Sequence, residues 1–74
     1  MQYVKVIINL CEKWDEEQRL RLCENYRLFS VSVLTPTIIE ALMPEEFADG
    51  LLQDRTVVEI EKSAPLGTHY GYNI

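Results

Sequence analysis

Histidine and glycine are scarce in this sequence of 74 residues, which contains one histidine and three glycines. A nucleophilic enzyme needs a base held beside its serine or cysteine, and a phosphate-binding loop needs clustered glycines. His69 lies in a glycine-flanked segment that is poorly suited to holding a catalytic geometry, and the glycines form no phosphate-binding pattern. We therefore expect no enzymatic activity and no nucleotide cofactor.

Long apolar runs are also missing from the sequence. Charged residues interrupt every candidate before the roughly 18 apolar residues that are needed to cross a bilayer. The first residues alternate between apolar and polar types, unlike the continuous apolar core of a signal peptide. We expect a protein of the reduced cytoplasm, or of the host cytoplasm if it is viral, that does not enter a membrane.

Cysteine occurs only twice, at Cys11 and Cys23. A zinc site built from these thiols and His69 would lack the paired spacing of zinc fingers and ribbons, and it would need a fourth ligand. Buried thiols that pack as small hydrophobic side chains are the simpler interpretation. We expect no metal site.

Basic residues are few, because seven lysines and arginines stand against twelve acids and give a net charge of −5. The resulting field repels phosphate backbones and favours basic partners. Arg19, Arg21 and Arg27 come closest to a basic cluster, and leucine and acidic residues are interleaved with them. Nucleic-acid binding through these arginines therefore ranks last among the functions considered.

The sequence does contain three segments, residues 2–10, 27–34 and 56–62, in which apolar and polar side chains alternate. Alternation at period two is typical of strands with one buried face. A sheet covered on one side leaves its other face and its edges free to meet a partner. The expected inward residues are Val4, Val6, Ile8, Phe29, Val31, Val33, Val58 and Ile60, and the expected outward residues are Tyr3, Lys5, Asn9, Ser30, Ser32, Glu59 and Glu61.

A helix is predicted between the first two strands, over residues 16–25. Asp15 and Gln18 have the spacing of a capping box, and Asn25 tolerates the left-handed conformation that ends helices. The alternating run at 19–22 leaves a hairpin arm open as the alternative.

A second helical region is predicted over residues 36–53. Thr35 and Pro36 have the types preferred at a helix start, with Leu34 placed to pack against Ile39. Pro44 would interrupt the hydrogen-bond ladder, so we expect two short helices or one kinked helix.

The last twelve residues, 63–74, form an aromatic tail that either contacts a partner or returns as a further strand at the sheet edge. Tyrosine is favoured at protein interfaces. Glu59 and Glu61 alternate outward on their strand, where Lys5 could pair across the sheet. We therefore predict that the partner-binding residues are Lys5, Glu59, Glu61, Tyr70 and Tyr72.

Two segments resemble the ends of small phage-encoded antitoxins of the Dmd type. They are the opening strand, Tyr3-Val4-Lys5-Val6-Ile7-Ile8, and the closing segment over residues 51–60, together about a quarter of the chain. The resemblance implies a viral protein that occupies a host toxin nuclease and blocks its cleft, without catalysis of its own. It assigns no functional residue.

These observations predict one α+β domain over residues 1–74. Its sheet has three strands, or four if the tail joins, with short helices packed on one face and the other face open. The leading hypothesis is an acidic, antitoxin-like module that inhibits or modulates a host protein with a basic surface. A structural or regulatory homodimer that pairs its edge strands is the alternative.

Overall fold

The computed structural model describes residues 2–62, which form a single sheet and two short helices. Four antiparallel strands lie side by side in the order β2-β3-β1-β4, so the predicted α+β class with an open sheet is confirmed. In the described residues no helix is long and apolar enough to cross a membrane. The elements in chain order are β1 (Tyr3–Leu10), α1 (Glu16–Tyr26), β2 (Phe29–Thr35), β3 (Ile38–Pro44), a 3-10 turn (Glu45–Phe47), α2 (Ala48–Leu52) and β4 (Val57–Lys62).

Strand β1 is the centre of the fold, because β3 pairs along one side of it and β4 along the other. Its alternation places Val4, Val6, Ile8 and Leu10 on the buried face, as predicted. Both helices pack on this face. Leu22 of α1 and Leu51 of α2 are completely buried in the same cluster as the β1 side chains. Burial of each such side chain stabilises the fold by about 1.5–3 kcal/mol.

Helix α1 confirms the prediction of a helix, rather than a hairpin arm, over residues 16–25. The side chain of Asp15 accepts a hydrogen bond from the backbone N–H of Gln18 at 2.8 Å, which is the predicted cap. The Gln18 side chain does not complete the capping box, because it donates to Glu12. The prediction that Asn25 ends the helix was wrong: α1 continues to Tyr26, and Arg27 adopts the left-handed conformation with φ of 59°.

The prediction of a helix beginning at Pro36 was wrong, because residues 38–44 form strand β3. Pro36 and Thr37 make a two-residue turn, and Thr35 lies opposite Ile38 in the resulting hairpin. A threonine–proline pair suits a turn as well as a helix start. The expectation of a short helix after Pro44 was correct, since the 3-10 turn and α2 follow this proline.

Strand β2 buries only part of the face that its alternation predicted, because Val31 packs against the core whereas Phe29 and Val33 are exposed. Its register with β3 shifts between Phe29 and Ser32 and again between Val33 and Thr35, and Ser30 has a φ of 52°. Each bulge inserts a residue and changes which face the following side chains occupy. Phe29 consequently lies on the open face, opposite Leu42, and is 43% exposed. Val33 lies on the helical side, opposite Ile39, but is 56% exposed at the edge of the sheet. Leu34 is exposed instead of packing on Ile39.

Strand β4 also contains one displaced residue. A register shift opposite Asn9 and Leu10 places Val57 in the core and leaves Val58 62% exposed, so the prediction that Val58 points inward was wrong. Ile60 packs against the core as expected. The strand that the sheet has in addition to the three predicted ones is β3. The prediction that the tail returns to the sheet edge falls on residues 63–74, which lie outside the described residues.

Candidate protein-binding surface: the open face of the sheet

The face of the sheet opposite the helices is uncovered within residues 2–62, and its side chains form ordered rows across the strands. Residues that lie opposite each other in adjacent antiparallel strands have Cβ atoms about 4.5–5.5 Å apart. Ile7 of β1 lies opposite Glu40 of β3 and opposite Glu61 of β4. The open face comprises three rows: Phe29–Leu42–Lys5, then Ser32–Glu40–Ile7–Glu61, then Thr35–Ile38–Asn9–Glu59.

Apolar side chains occupy the middle of this face. Ile7, Ile38 and Leu42 are half-buried, although neither α1 nor α2 covers them. The rings of Tyr3 and Phe29 meet edge to face at one corner, with centroids 5.4 Å apart, and both rings remain more than 40% exposed. The face therefore offers contact area to a partner in addition to charge.

Carboxylates lie among and beside these apolar side chains. Glu40 and Glu61 flank Ile7 on its two sides, and Glu59 lies one row away. None of these three acids forms a side-chain hydrogen bond or ion pair within residues 2–62, and neither does Lys5, the single basic residue of the face. The expected pairing of Lys5 across the sheet is absent there, because Leu42 lies opposite Lys5 and Ile7 lies opposite Glu61.

The structure brings together Lys5, Glu59 and Glu61 on one face, whereas Tyr70 and Tyr72 lie outside the described residues. Sequence reasoning missed Glu40 and Leu42 because it assigned them to a helix. The signal that could have found them is the alternation of Ile39, Ala41 and Met43, all buried, with Ile38, Glu40 and Leu42.

A second polar cluster lies on the helical side and joins α1 to the loop before β4. The guanidinium of Arg21 donates to both oxygens of Asp54, at 2.8 and 3.2 Å, and to the hydroxyl of Thr56 at 2.7 Å. Asp54 also accepts from the phenol of Tyr26 at 2.9 Å. The Asp54 side chain is only 6% exposed, so this cluster is a buried ion pair with its hydrogen-bonding positions filled.

The pKa values of this cluster follow from those contacts. The hydrogen bonds from Arg21 hold the pKa of Asp54 well below its usual range, and further hydrogen bonds from Thr56 and Tyr26 act in the same direction against burial. Burial raises the pKa of Tyr26, and its hydrogen bond to Asp54 adds to that effect. Asp54 therefore stays ionised around neutral pH. This property is expected of a structural ion pair rather than of a group that transfers protons.

A pocket of about 200 Å³ opens beside this cluster. Several of its polar side chains are already used inside the chain: Asp15 caps α1, Glu12 accepts from Gln18, and Arg21 is held by Asp54. Within residues 2–62 no group of three metal-ligating side chains is assembled. The pocket is lined by Glu12, Asp15, Glu17, Gln18, Arg21, Arg55 and Thr56.

The three arginines considered for nucleic-acid binding have separate partners within the chain. Arg19 pairs with Glu16, Arg21 with Asp54, and the guanidinium of Arg27 lies 5.8 Å from the centre of the Phe47 ring. Among residues 2–62, these contacts leave no group of unpaired arginines around α1.

The two cysteines differ from the prediction that both are buried. Cys11 is exposed, whereas Cys23 is half-buried and packs against the core. Burial raises the pKa of the Cys23 thiol, which lowers its thiolate fraction at neutral pH.

The chain was compared with protein-family models, curated proteins and solved structures, and none of them matches it. The candidate surface therefore rests on its own geometry.

Proposed function

We propose that this chain is a small protein-binding module that covers a basic surface of another protein with the open face of its sheet. The observation that carries the proposal is that Glu40, Glu59 and Glu61 share one face with Ile7, Ile38 and Leu42, and that this face is uncovered within residues 2–62. Apolar side chains supply contact area, and the surrounding acids select a partner with complementary charge and accelerate its association.

Inhibition or modulation of a host protein is the role that we assign to this binding, as in the Dmd-type antitoxins that the chain ends resemble. An acidic sheet can compete with a phosphate backbone for a basic cleft, because both present negative charge to the same lysines and arginines. The chain then acts by occupying the cleft in the cytoplasm, with no catalysis of its own.

The first test is affinity capture from host lysate with the tagged protein at moderate and high salt. The variant with Glu59→Lys and Glu61→Lys changes the net charge by four units on the open face. A matched control, Glu17→Lys with Glu24→Lys, changes the net charge by the same amount on exposed positions of α1. We expect wild type and control to retain the same basic protein, and the face variant to lose it.

The second step measures association rates with the protein so identified. We expect the face variant to associate about tenfold or more slowly than wild type at low salt, with a weaker dependence on ionic strength. Equal rates for a correctly folded face variant and wild type would contradict the placement of the site. Loss of the captured protein by both double variants would show that net charge alone, rather than this face, is responsible.

A further inference from the structure

The two edges of the sheet differ in charge. Edge strand β2, with the sequence FSVSVLT, contains no charged residue, whereas edge strand β4, VVEIEK, contains Glu59, Glu61 and Lys62. The uncharged segment extends beyond β2, since residues 28–39 include no Asp, Glu, Lys or Arg. Charged side chains on an edge strand are a common protection against pairing with another chain. Strand β4 has this protection and β2 does not.

Strand β2 also exposes apolar side chains. Val33 and Leu34 are 56% and 51% exposed, and within residues 2–62 β2 is paired on one side only, with β3. An edge strand directs alternate backbone N–H and C=O groups away from the sheet. Ser32 and Val33 are the consecutive residues of β2 that stay in regular register with β3 between the two bulges. This short regular segment is where a further strand would pair.

We propose that the occupant of this edge is the β2 strand of a second copy of the chain, paired antiparallel about a two-fold axis near Ser32 and Val33. The charge distribution favours self-association at β2 over self-association at β4. A chain with a net charge of −5 repels itself at an acidic surface, and pairing at β4 would bring like carboxylates together. Pairing at β2 brings no like charges into contact.

This arrangement leaves the open face available. Antiparallel pairing of identical edge strands places the two-fold axis perpendicular to the sheet. Both copies then keep their helices on one side and their open faces on the other, and the two sheets form one continuous sheet of eight strands. The dimer leaves the surface proposed for the basic partner free. An experiment can therefore refute one of the two proposals without refuting the other.

The chain offers a matched pair of substitutions for the test, because Val33 and Val58 are both exposed valines on opposite edge strands. We expect sedimentation equilibrium of the wild type to give twice the chain mass of 8.6 kDa at high micromolar concentration. Val33→Lys should raise the dissociation constant by about a hundredfold or more, because each copy loses an apolar contact and gains a like charge near the axis. Val58→Lys should leave it unchanged.

Hydrogen exchange provides a second measurement that does not depend on any variant. We expect the amides of β2 to gain protection as the wild-type concentration rises, while those of β4 do not. A wild type that remains monomeric to millimolar concentration would overturn the proposal. It would also fail if Val58→Lys dissociated the dimer and a folded Val33→Lys variant did not.

Discussion

Replacing Asp54 with alanine should be among the most damaging single changes in the described part of the chain. Its carboxylate, 6% exposed, joins two side chains of α1, Arg21 and Tyr26, to Thr56 in the loop just before β4. Hydrogen bonds to charged groups contribute about 1.5–3 kcal/mol each, and breaking a buried ion pair costs about 3–5 kcal/mol. Arg21 is one-third exposed, so water compensates part of the loss. We expect the free energy of unfolding to fall by about 2–4 kcal/mol.

This loss is large for a domain of this size, whose total stability is between roughly 4 and 11 kcal/mol. The melting temperature should fall by about 10–25 °C. Urea unfolding followed by circular dichroism would measure the change, with Asp49→Asn, an exposed acid of α2, as the control expected within about 0.5 kcal/mol of wild type. An Asp54→Ala variant as stable as that control would refute the role of the cluster as an anchor.

The contacts of Asp54 also predict how the free energy of unfolding depends on pH. The pKa of Asp54 is lower in the folded chain than the value of about 3.9 in an unfolded chain. Its contribution is therefore complete above about pH 5 and is lost as the pH falls further towards the folded pKa. The stability difference between wild type and Asp54→Asn should shrink progressively below about pH 5. A difference that stays constant from pH 7 to pH 2 would mean that the charge of Asp54 is not what stabilises the contact.

Two further predictions concern single side chains. Gly50→Ala should stabilise the protein by about 0.5–1 kcal/mol in urea unfolding, because alanine favours the helical conformation. The added Cβ would lie 3.5 Å from the Tyr26 ring, which is an ordinary contact. A less stable variant would contradict this prediction. Cys11 should react with a disulfide reagent before Cys23, because Cys11 is exposed and burial raises the pKa of the Cys23 thiol. Cys11→Ser should then remove the fast phase, and a remaining fast phase would show that Cys23 is the accessible thiol.

Local signals in the sequence were sufficient for β1, for the start of α1 and for most of β4. Each depends on neighbours along the chain: Asp15 caps the helix three residues ahead, and Val4, Val6 and Ile8 alternate without interruption. Strand β3 was missed because Pro36 is compatible with both a turn and a helix start. Its pairing with β1 decides between them, and pairing is a contact between distant residues.

The bulges and the buried ion pair could not be read from the sequence for the same reason. Which side chain of β2 faces the core depends on where its register with β3 shifts, and nothing local in residues 29–35 specifies that position. Arg21 and Asp54 are 33 positions apart, and each has other oppositely charged residues closer along the chain. On the candidate face, the outward positions of Glu59 and Glu61 were predictable, but their alignment with Glu40 across β1 was not.

The acids of the open face contribute little to folding, and this separates the two sides of the sheet. The helical side holds the core and the Arg21–Asp54 pair, whereas Glu40, Glu59 and Glu61 have no side-chain partner within residues 2–62. Glu40 and Glu61 flank Ile7 at two strand spacings, about 10 Å apart, where like charges repel. Neutralising Glu61 with glutamine should therefore leave the free energy of unfolding unchanged or slightly higher. This combination of carboxylates and apolar side chains on one face supports the proposal that the face contacts a basic partner.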